Sequence, residues 1–116
     1  MTTAQPLKIA PLNTKEAFER IGDLPLFQEI SHTFAQSLVG NLTSIKNAMK
    51  AQQWHDAMRM AHSLKGTLAI VGAEDLREIA TLLEYSCRDE KAEEAEKNLA
   101  ILKQTKEQLI EALNKI

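Results

Sequence analysis

The sequence has little of what cross-links a small protein or interrupts its helices. A single cysteine, Cys87, occurs among 116 residues, so no disulfide can form within the chain and a reducing compartment is indicated. Only four glycines and three prolines are present, and aromatic residues make up 4% of the chain. Because alanine, leucine, glutamate and lysine are common in place of these residues, the composition favours helices over strands.

Other absences argue against whole classes of protein. No apolar run approaches the roughly 20 residues that a membrane-spanning helix needs. The formal net charge of −2 gives no reason to expect binding to nucleic acid or to an acidic membrane. The first eleven residues lack the charged and apolar segments of a signal peptide, so we expect a cytoplasmic protein. A chain of this length predicts one domain.

Apolar residues recur at spacings of three and four along most of the chain, which is the pattern of amphipathic helices. Residues 1–12 lack this pattern and predict an extended arm that lies over the bundle through Leu7, Ile9 and Leu12. The pattern predicts five helices: 14–21 capped by Asn13 or Thr14, one of about 25 residues that Asp23 and Pro25 open, 53–71, 74–89 and 92–115.

The short connections between these segments predict the architecture. Gly72 ends the third helix at a position where a left-handed residue is usual. Because the longer helices are separated by only a few residues, consecutive helices must be antiparallel neighbours. The sequence therefore predicts an all-α domain over residues 13–116: an up-down-up-down four-helix bundle with a short additional helix at its N-terminus.

The third predicted helix carries a histidine at the edge of its apolar stripe. Since each helical residue advances by about 100°, His62 is a neighbour of the residues three, four and seven positions away. Lys65 and Arg59 bring positive charge near the imidazole, whereas Gly66 and Ala69 remove side-chain bulk beside it. We therefore expect His62 to be solvent-exposed in the middle of a helix.

This combination of side chains suits phosphoryl transfer. A neutral imidazole nitrogen can attack phosphorus near pH 7, because histidine in model peptides has a pKa of about 6.5. The reaction needs in-line access and charge stabilisation more than a protein base. Gly66 provides access, and Lys65 can neutralise phosphoryl oxygens. Close packing between helices is the alternative explanation of Gly66, because an interior glycine otherwise costs helix stability.

Two charged residues of the fourth predicted helix are candidates for the same site. Glu84 lies beside the apolar stripe of this helix. If the third and fourth helices pack together, its carboxylate can accept the Nδ1–H of His62 and leave Nε2 as the nucleophile. A solvated helix face is the alternative for Glu84. Arg88, one turn further on, either adds positive charge to the site or pairs with Glu84.

The sequence resembles the histidine phosphotransfer family in the segment His62-Ser63-Leu64-Lys65-Gly66, followed by Gly72, Leu76 and Leu83-Glu84. The resemblance implies that His62 is phosphorylated, that Lys65 assists the phosphoryl group and that Gly66 keeps the site open. It also implies a phosphocarrier without a cofactor or metal of its own and without independent turnover. Its partners would be receiver domains of response regulators or hybrid kinases, which supply the aspartate and Mg²⁺.

Docking of a receiver domain requires accessible surface near the phosphorylated histidine, and we expect the protein to act as a monomer. A non-catalytic helical adaptor, or a bundle excised from a hybrid sensor kinase, is the alternative interpretation. The interior glycine beside His62 argues against the adaptor, which has no need of it. His32 and His55 are expected to be structural or exposed. The candidate partner-binding residues are Met58, Arg59, Ala69, Arg88 and Phe27, with Leu24 as a further possibility.

Overall fold

The computed structural model describes residues 7–116 and confirms the predicted all-helical architecture. Residues 1–6 of the predicted arm lie outside the described residues. The four helices with predicted bounds begin and end within one residue of them. No strand is present in the described chain. The helices are α1 (Thr14–Ile21), α2 (Leu24–Lys50), α3 (Trp54–Ile70), α4 (Glu74–Arg88) and α5 (Ala92–Asn114).

The first two helices begin at side-chain caps. The Asn13 side chain accepts a hydrogen bond from the amide of Glu16 at 3.4 Å, and the Asp23 carboxylate accepts one from the amide of Leu26 at 3.0 Å. Pro25 lies in the first turn of α2, where its missing N–H has no helical partner to lose. These caps satisfy amide groups that the first turn of a helix leaves without a carbonyl.

The three connections between the long helices share one backbone design. Each is three residues long, and its central residue is left-handed: Gln52 (φ 57°), Gly72 (φ 79°) and Glu90 (φ 53°). The next amide donates to the carbonyl five residues earlier, at 2.8–2.9 Å. This reversal satisfies carbonyls at the end of one helix and starts the next helix in the opposite direction.

Gly72 differs from the other two left-handed residues because α1 begins beside it. The amide of Asn13 donates to the Gly72 carbonyl at 2.9 Å. A Cβ atom at position 72 would lie 2.5 Å from the carbonyl oxygen of Asn13. Gln52 and Glu90 adopt positive φ with full side chains. The close approach of α1 is therefore the stronger reason for glycine at this connection.

Helices α2 to α5 form a ring around one apolar core. The ring order is α2, α3, α4, α5, with each long helix packed against the next and α5 packed against α2. The groove between α3 and α4 therefore lies opposite the groove between α2 and α5. Among residues 7–116, the largest fully buried hydrophobic residues are Phe27, Ile45, Leu68, Leu83, Leu109, Leu113 and Val71.

Residues 7–12 cross the bundle as an extended segment. Ile9 and Leu12 pack against the core as predicted. The Leu7 side chain is exposed, so Leu7 contacts the bundle only through its carbonyl oxygen, which accepts a hydrogen bond from Nε2 of Gln108. The amide of Ile9 donates to Oε1 of Gln108 at 3.0 Å, and the amide of Ala10 donates to Oδ2 of Asp75 at 2.8 Å. These two side chains attach the segment to α5 and α4. In residues 7–116, none of the helices has both the length and the hydropathy for a bilayer crossing.

Candidate functional site

His62 lies in the middle of α3 and faces the groove between α3 and α4. Its side chain is 65% exposed, although Ala61 and Leu64 on the same helix are buried in the core. The geometric prediction of an exposed histidine at the edge of the apolar stripe is therefore confirmed. An incoming reactant can reach this imidazole from solvent without any rearrangement of the helices.

A single carboxylate on α4 binds both His62 and Lys65. Oε2 of Glu84 lies 3.0 Å from Nδ1 of His62, and Oε1 lies 2.7 Å from Nζ of Lys65. The Glu84 side chain is only 15% exposed, and the Lys65 side chain is 24% exposed. The sequence indicated the contact between His62 and Glu84. It did not indicate the Lys65–Glu84 pair, because Lys65 was assigned to the phosphoryl group alone.

The charge state of Glu84 determines the tautomer of His62. Burial raises the pKa of Glu84, but hydrogen bonds from Lys65 and His62 and the positive charges of both outweigh it, so the pKa lies below its ordinary value. The carboxylate is therefore ionised at neutral pH and can only accept hydrogen bonds. Nδ1 of a neutral His62 must then carry the proton, which leaves the lone pair on Nε2.

Gly66 is exposed one turn after His62, and no neighbouring helix packs against its α-carbon. A Cβ atom at this position would meet no atom within 4 Å. The alternative explanation of Gly66 as a site of close helix packing is therefore wrong. The glycine instead leaves open space beside His62 and Lys65, at the cost of helix propensity.

In the described residues, neither predicted arginine forms an ion pair with the His62–Glu84–Lys65 network. Arg59 lines a cleft between α2 and α3 together with Ser63, so it is on the α2 side of the helix. Arg88 donates to the carboxylate of Asp89 at 2.9 Å and stacks over Tyr85, with its guanidinium carbon 4.7 Å from the ring centroid. The predicted alternative that Arg88 pairs with Glu84 is wrong, because the Arg88 guanidinium forms its ion pair with the adjacent Asp89.

The predicted docking residues differ in accessibility. Phe27 is only 2% exposed and its ring centroid lies 6.4 Å from that of Phe18 on α1. Its assignment to a docking surface is therefore wrong in this structure, because it belongs to the packed interior beside α1. Leu24 is 48% exposed. Met58 is partly buried against the core, and Ala69 is partly exposed.

The C-terminal end of α3 has a cationic partner that the sequence did not reveal. Nη2 of Arg20 on α1 donates to the carbonyl oxygen of Ala69 at 3.0 Å. Positive charge at this end of a helix is favoured by the helix dipole. The two residues are far apart in sequence and no local pattern links them, so only the packing of α1 against the bundle reveals the contact.

The remaining histidines and the cysteine take no part in the His62 network. His32 and His55 are both exposed, on α2 and at the start of α3. In the part of the chain that the structure describes, no three histidine, cysteine or acidic side chains are grouped as a metal site. Cys87 is fully buried, and this burial raises the pKa of its thiol to about 11. The thiol is therefore protonated and inaccessible to reactants.

Comparison with known proteins identifies the family. The model of the Hpt domain family matches residues 29–114, which include α3, α4, α5 and most of α2. The chain belongs to this family, whose members are phosphocarrier modules that act with receiver domains in phosphorelays. No curated protein matches the chain significantly, and no solved structure does.

Proposed function

We propose that this protein relays a phosphoryl group between receiver-domain aspartates through Nε2 of His62. The observation that carries the proposal is the bridging carboxylate of Glu84, which accepts from Nδ1 of His62 and also binds Lys65. This contact leaves the lone pair of the ring on Nε2, and the side chain is exposed to an incoming partner. An exposed histidine without such a partner would not have its tautomer fixed.

The transfer step follows from these positions. Nε2 of His62 attacks the phosphorus of a receiver's aspartyl phosphate, so that an N–P bond forms and the P–O bond to the aspartate breaks. The aspartate leaves as a carboxylate, and Nδ1 keeps its proton. The imidazole ring gains positive charge as Nε2 donates its electron pair. The ionised carboxylate of Glu84, 3.0 Å from Nδ1, stabilises that charge. Attack by a second receiver aspartate reverses the step.

Lys65 and Gly66 serve the phosphoryl group in this proposal. Lys65 lies one turn from His62, and its ammonium is held 2.7 Å from Oε1 of Glu84. Rotation of this flexible side chain brings the charge towards phosphoryl oxygens bound to Nε2. The open space beside Gly66 admits the receiver's active site close to the helix. Both residues therefore act on the group that is transferred, and Glu84 orients the imidazole.

The partner supplies the rest of the chemistry. We propose that the receiver domain contributes the aspartate and the Mg²⁺ that neutralises its acidic residues, and that this chain contributes no metal and no turnover of its own. Leu24, Met58 and Ala69 are the accessible apolar residues assigned to docking, with Arg59 and Arg88 as charged contacts. We further propose a monomer that acts in the cytoplasm, a location that the single buried thiol of Cys87 suits.

Incubation with phosphorylated receiver domains of the source organism tests the proposal. The wild-type chain should acquire a label that is lost in acid and retained in base, as a phosphoimidazole requires. His62→Gln should acquire none, whereas His55→Gln should be labelled as the wild type is, because His55 is an exposed histidine of the same helix outside the Glu84 network. Absence of label with every receiver, or equal labelling of His62→Gln, would contradict the proposal. Signalling that survives His62→Ala would favour the adaptor instead.

A further inference from the structure

A second concave site lies in the groove between α2 and α5, on the side of the bundle opposite His62. The C-terminal part of α2, the connection to α3 and the first half of α5 line an open cleft of about 550 Å³. This volume is within the range of sites for small organic molecules. The lining residues are Lys46, Met49, Lys50, Gln52, Trp54, Ala92, Glu96, Leu99, Ala100, Lys103 and Gln104.

Part of the cleft lining is apolar. Met49 and Leu99 are buried core residues whose surfaces form part of the wall. Trp54, the only tryptophan of the chain, is partly buried and packs against the same core. A large amphipathic ring beside aliphatic side chains provides a surface for a hydrocarbon or aromatic group. The lining therefore favours a ligand whose body is apolar.

The charge of the cleft opposes that of the whole chain. Three lysines and one glutamate line it, although the chain has a formal net charge of −2. Within residues 7–116, no carboxylate forms an ion pair with Lys46, Lys50 or Lys103. Lys50 lies in the last turn of α2, where the helix dipole already favours a cation. The helix dipole does not explain Lys103, because this residue lies near the middle of α5.

We propose that this cleft binds a small amphipathic organic anion, with its apolar body against Met49, Trp54 and Leu99 and its anionic group near Lys46 and Lys103. The ammonium groups of both lysines have no ion-pair partner in the described chain, and a carboxylate or phosphate group can provide one. The volume of the cleft is that of a small-molecule site, so we propose a small molecule, and binding of a peptide helix is an outcome of the test. The proposal is independent of phosphoryl transfer, because His62 lies on the opposite face.

Fluorescence of Trp54 in the full chain gives a direct test with decanoate as the probe. We expect a saturable change in emission below the micellar concentration, and one binding site in calorimetry. Decyltrimethylammonium, which has the same chain length and the opposite charge, should bind at least about tenfold more weakly. Acetate should give no change. Equal binding of the cationic amphiphile, or absence of saturable decanoate binding by both methods, would overturn the proposal.

Lysine substitutions locate the anionic group. Lys103→Gln should weaken decanoate binding about threefold, the scale of one exposed ion pair, and Lys46→Gln/Lys103→Gln about tenfold. Lys97→Gln is the matched control, because Lys97 is also exposed on α5 but lines a different cleft. Wild-type affinity in the double variant would overturn the proposal. The proposal would also be overturned if an acidic amphipathic peptide bound to the cleft and decanoate did not, because that result would indicate a docking surface for a protein. His62→Gln should bind decanoate normally, so failure of either proposal is distinguishable from failure of the other.

Discussion

The lysines in the two opposite grooves of the bundle differ in whether they form ion pairs. In the α3–α4 groove, Lys65 is held 2.7 Å from the carboxylate of Glu84, which also binds His62. In the α2–α5 groove, Lys46 and Lys103 line an apolar cleft, and within residues 7–116 neither forms an ion pair. The first groove has its charges arranged around a reactive side chain. The second has lysines without an ion-pair partner, which is one reason for our proposal that it binds an external anion.

The largest expected effect is a loss of phosphoryl transfer at the α3–α4 groove with no change in binding at the α2–α5 groove. His62→Gln removes the nucleophile, and we expect phosphoryl incorporation from a phosphorylated receiver to fall below detection. Binding of decanoate to the α2–α5 cleft should be unchanged, because the cleft does not include this residue. Labelling and Trp54 fluorescence measure the two outcomes. A parallel loss of both would mean that the grooves are coupled through the fold.

A second prediction concerns the space beside His62. Gly66→Val should slow phosphoryl transfer about 100-fold, because a small displacement of reacting groups has an effect of this order. Gly40→Val is the matched control: both glycines are exposed in helices, and a Cβ atom at either would meet no atom within 4 Å. Both variants should change the free energy of unfolding by less than about 1 kcal/mol. Single-turnover transfer rates and urea unfolding measure these effects. Equal transfer rates in the two variants would remove the access argument for Gly66.

A third prediction sharpens the role of the bridging carboxylate. Glu84→Gln keeps the shape of the side chain but removes its negative charge, so we expect phosphoryl transfer to slow about tenfold, a modest share of the range for electrostatic stabilisation. Glu78→Gln, an exposed residue of the same helix, is the control and should transfer normally. NMR of the imidazole nitrogens should show the Nδ1–H tautomer weakened in Glu84→Gln. An unchanged tautomer and rate would reduce Glu84 to a structural partner of Lys65.

The smallest expected effect is on stability. Because the pKa of Glu84 is lowered in the folded state, its ion pair stabilises the fold above the ordinary pKa of a glutamate and loses that contribution as the pH falls through the lowered value. Glu84→Gln should therefore reduce the free energy of unfolding by up to about 1 kcal/mol at pH 7. The difference from wild type should shrink below about pH 4. Urea unfolding at several pH values measures it. A difference that grows in acid would have the wrong sign.

The helices were predictable because their signals are local. Asp23, Pro25 and the spacing of apolar residues marked α2, and the exposure of His62 followed from its place at the edge of a stripe. Residues whose surroundings come from distant parts of the chain were harder. Phe27 belongs to an apolar stripe and was also assigned to docking, but α1 packs beside it and leaves it 2% exposed. By sequence spacing, Arg88 can pair with either Glu84 or Asp89. It pairs with Asp89, and this outcome depends on side-chain geometry that spacing alone does not predict.

The sequence by itself determined five helices, antiparallel order, and a histidine, a lysine and a glycine on one helical face, because periodicity and short connections act over a few residues. The sequence indicated the contact between His62 and Glu84. Only the tertiary structure decided that the same carboxylate also binds Lys65, since the contacting residues are about twenty positions apart in the chain and meet across the α3–α4 groove. It also supplied the reason for Gly72. Left-handed backbone alone does not require glycine there, as Gln52 and Glu90 show, but the carbonyl of Asn13 leaves no room for a side chain.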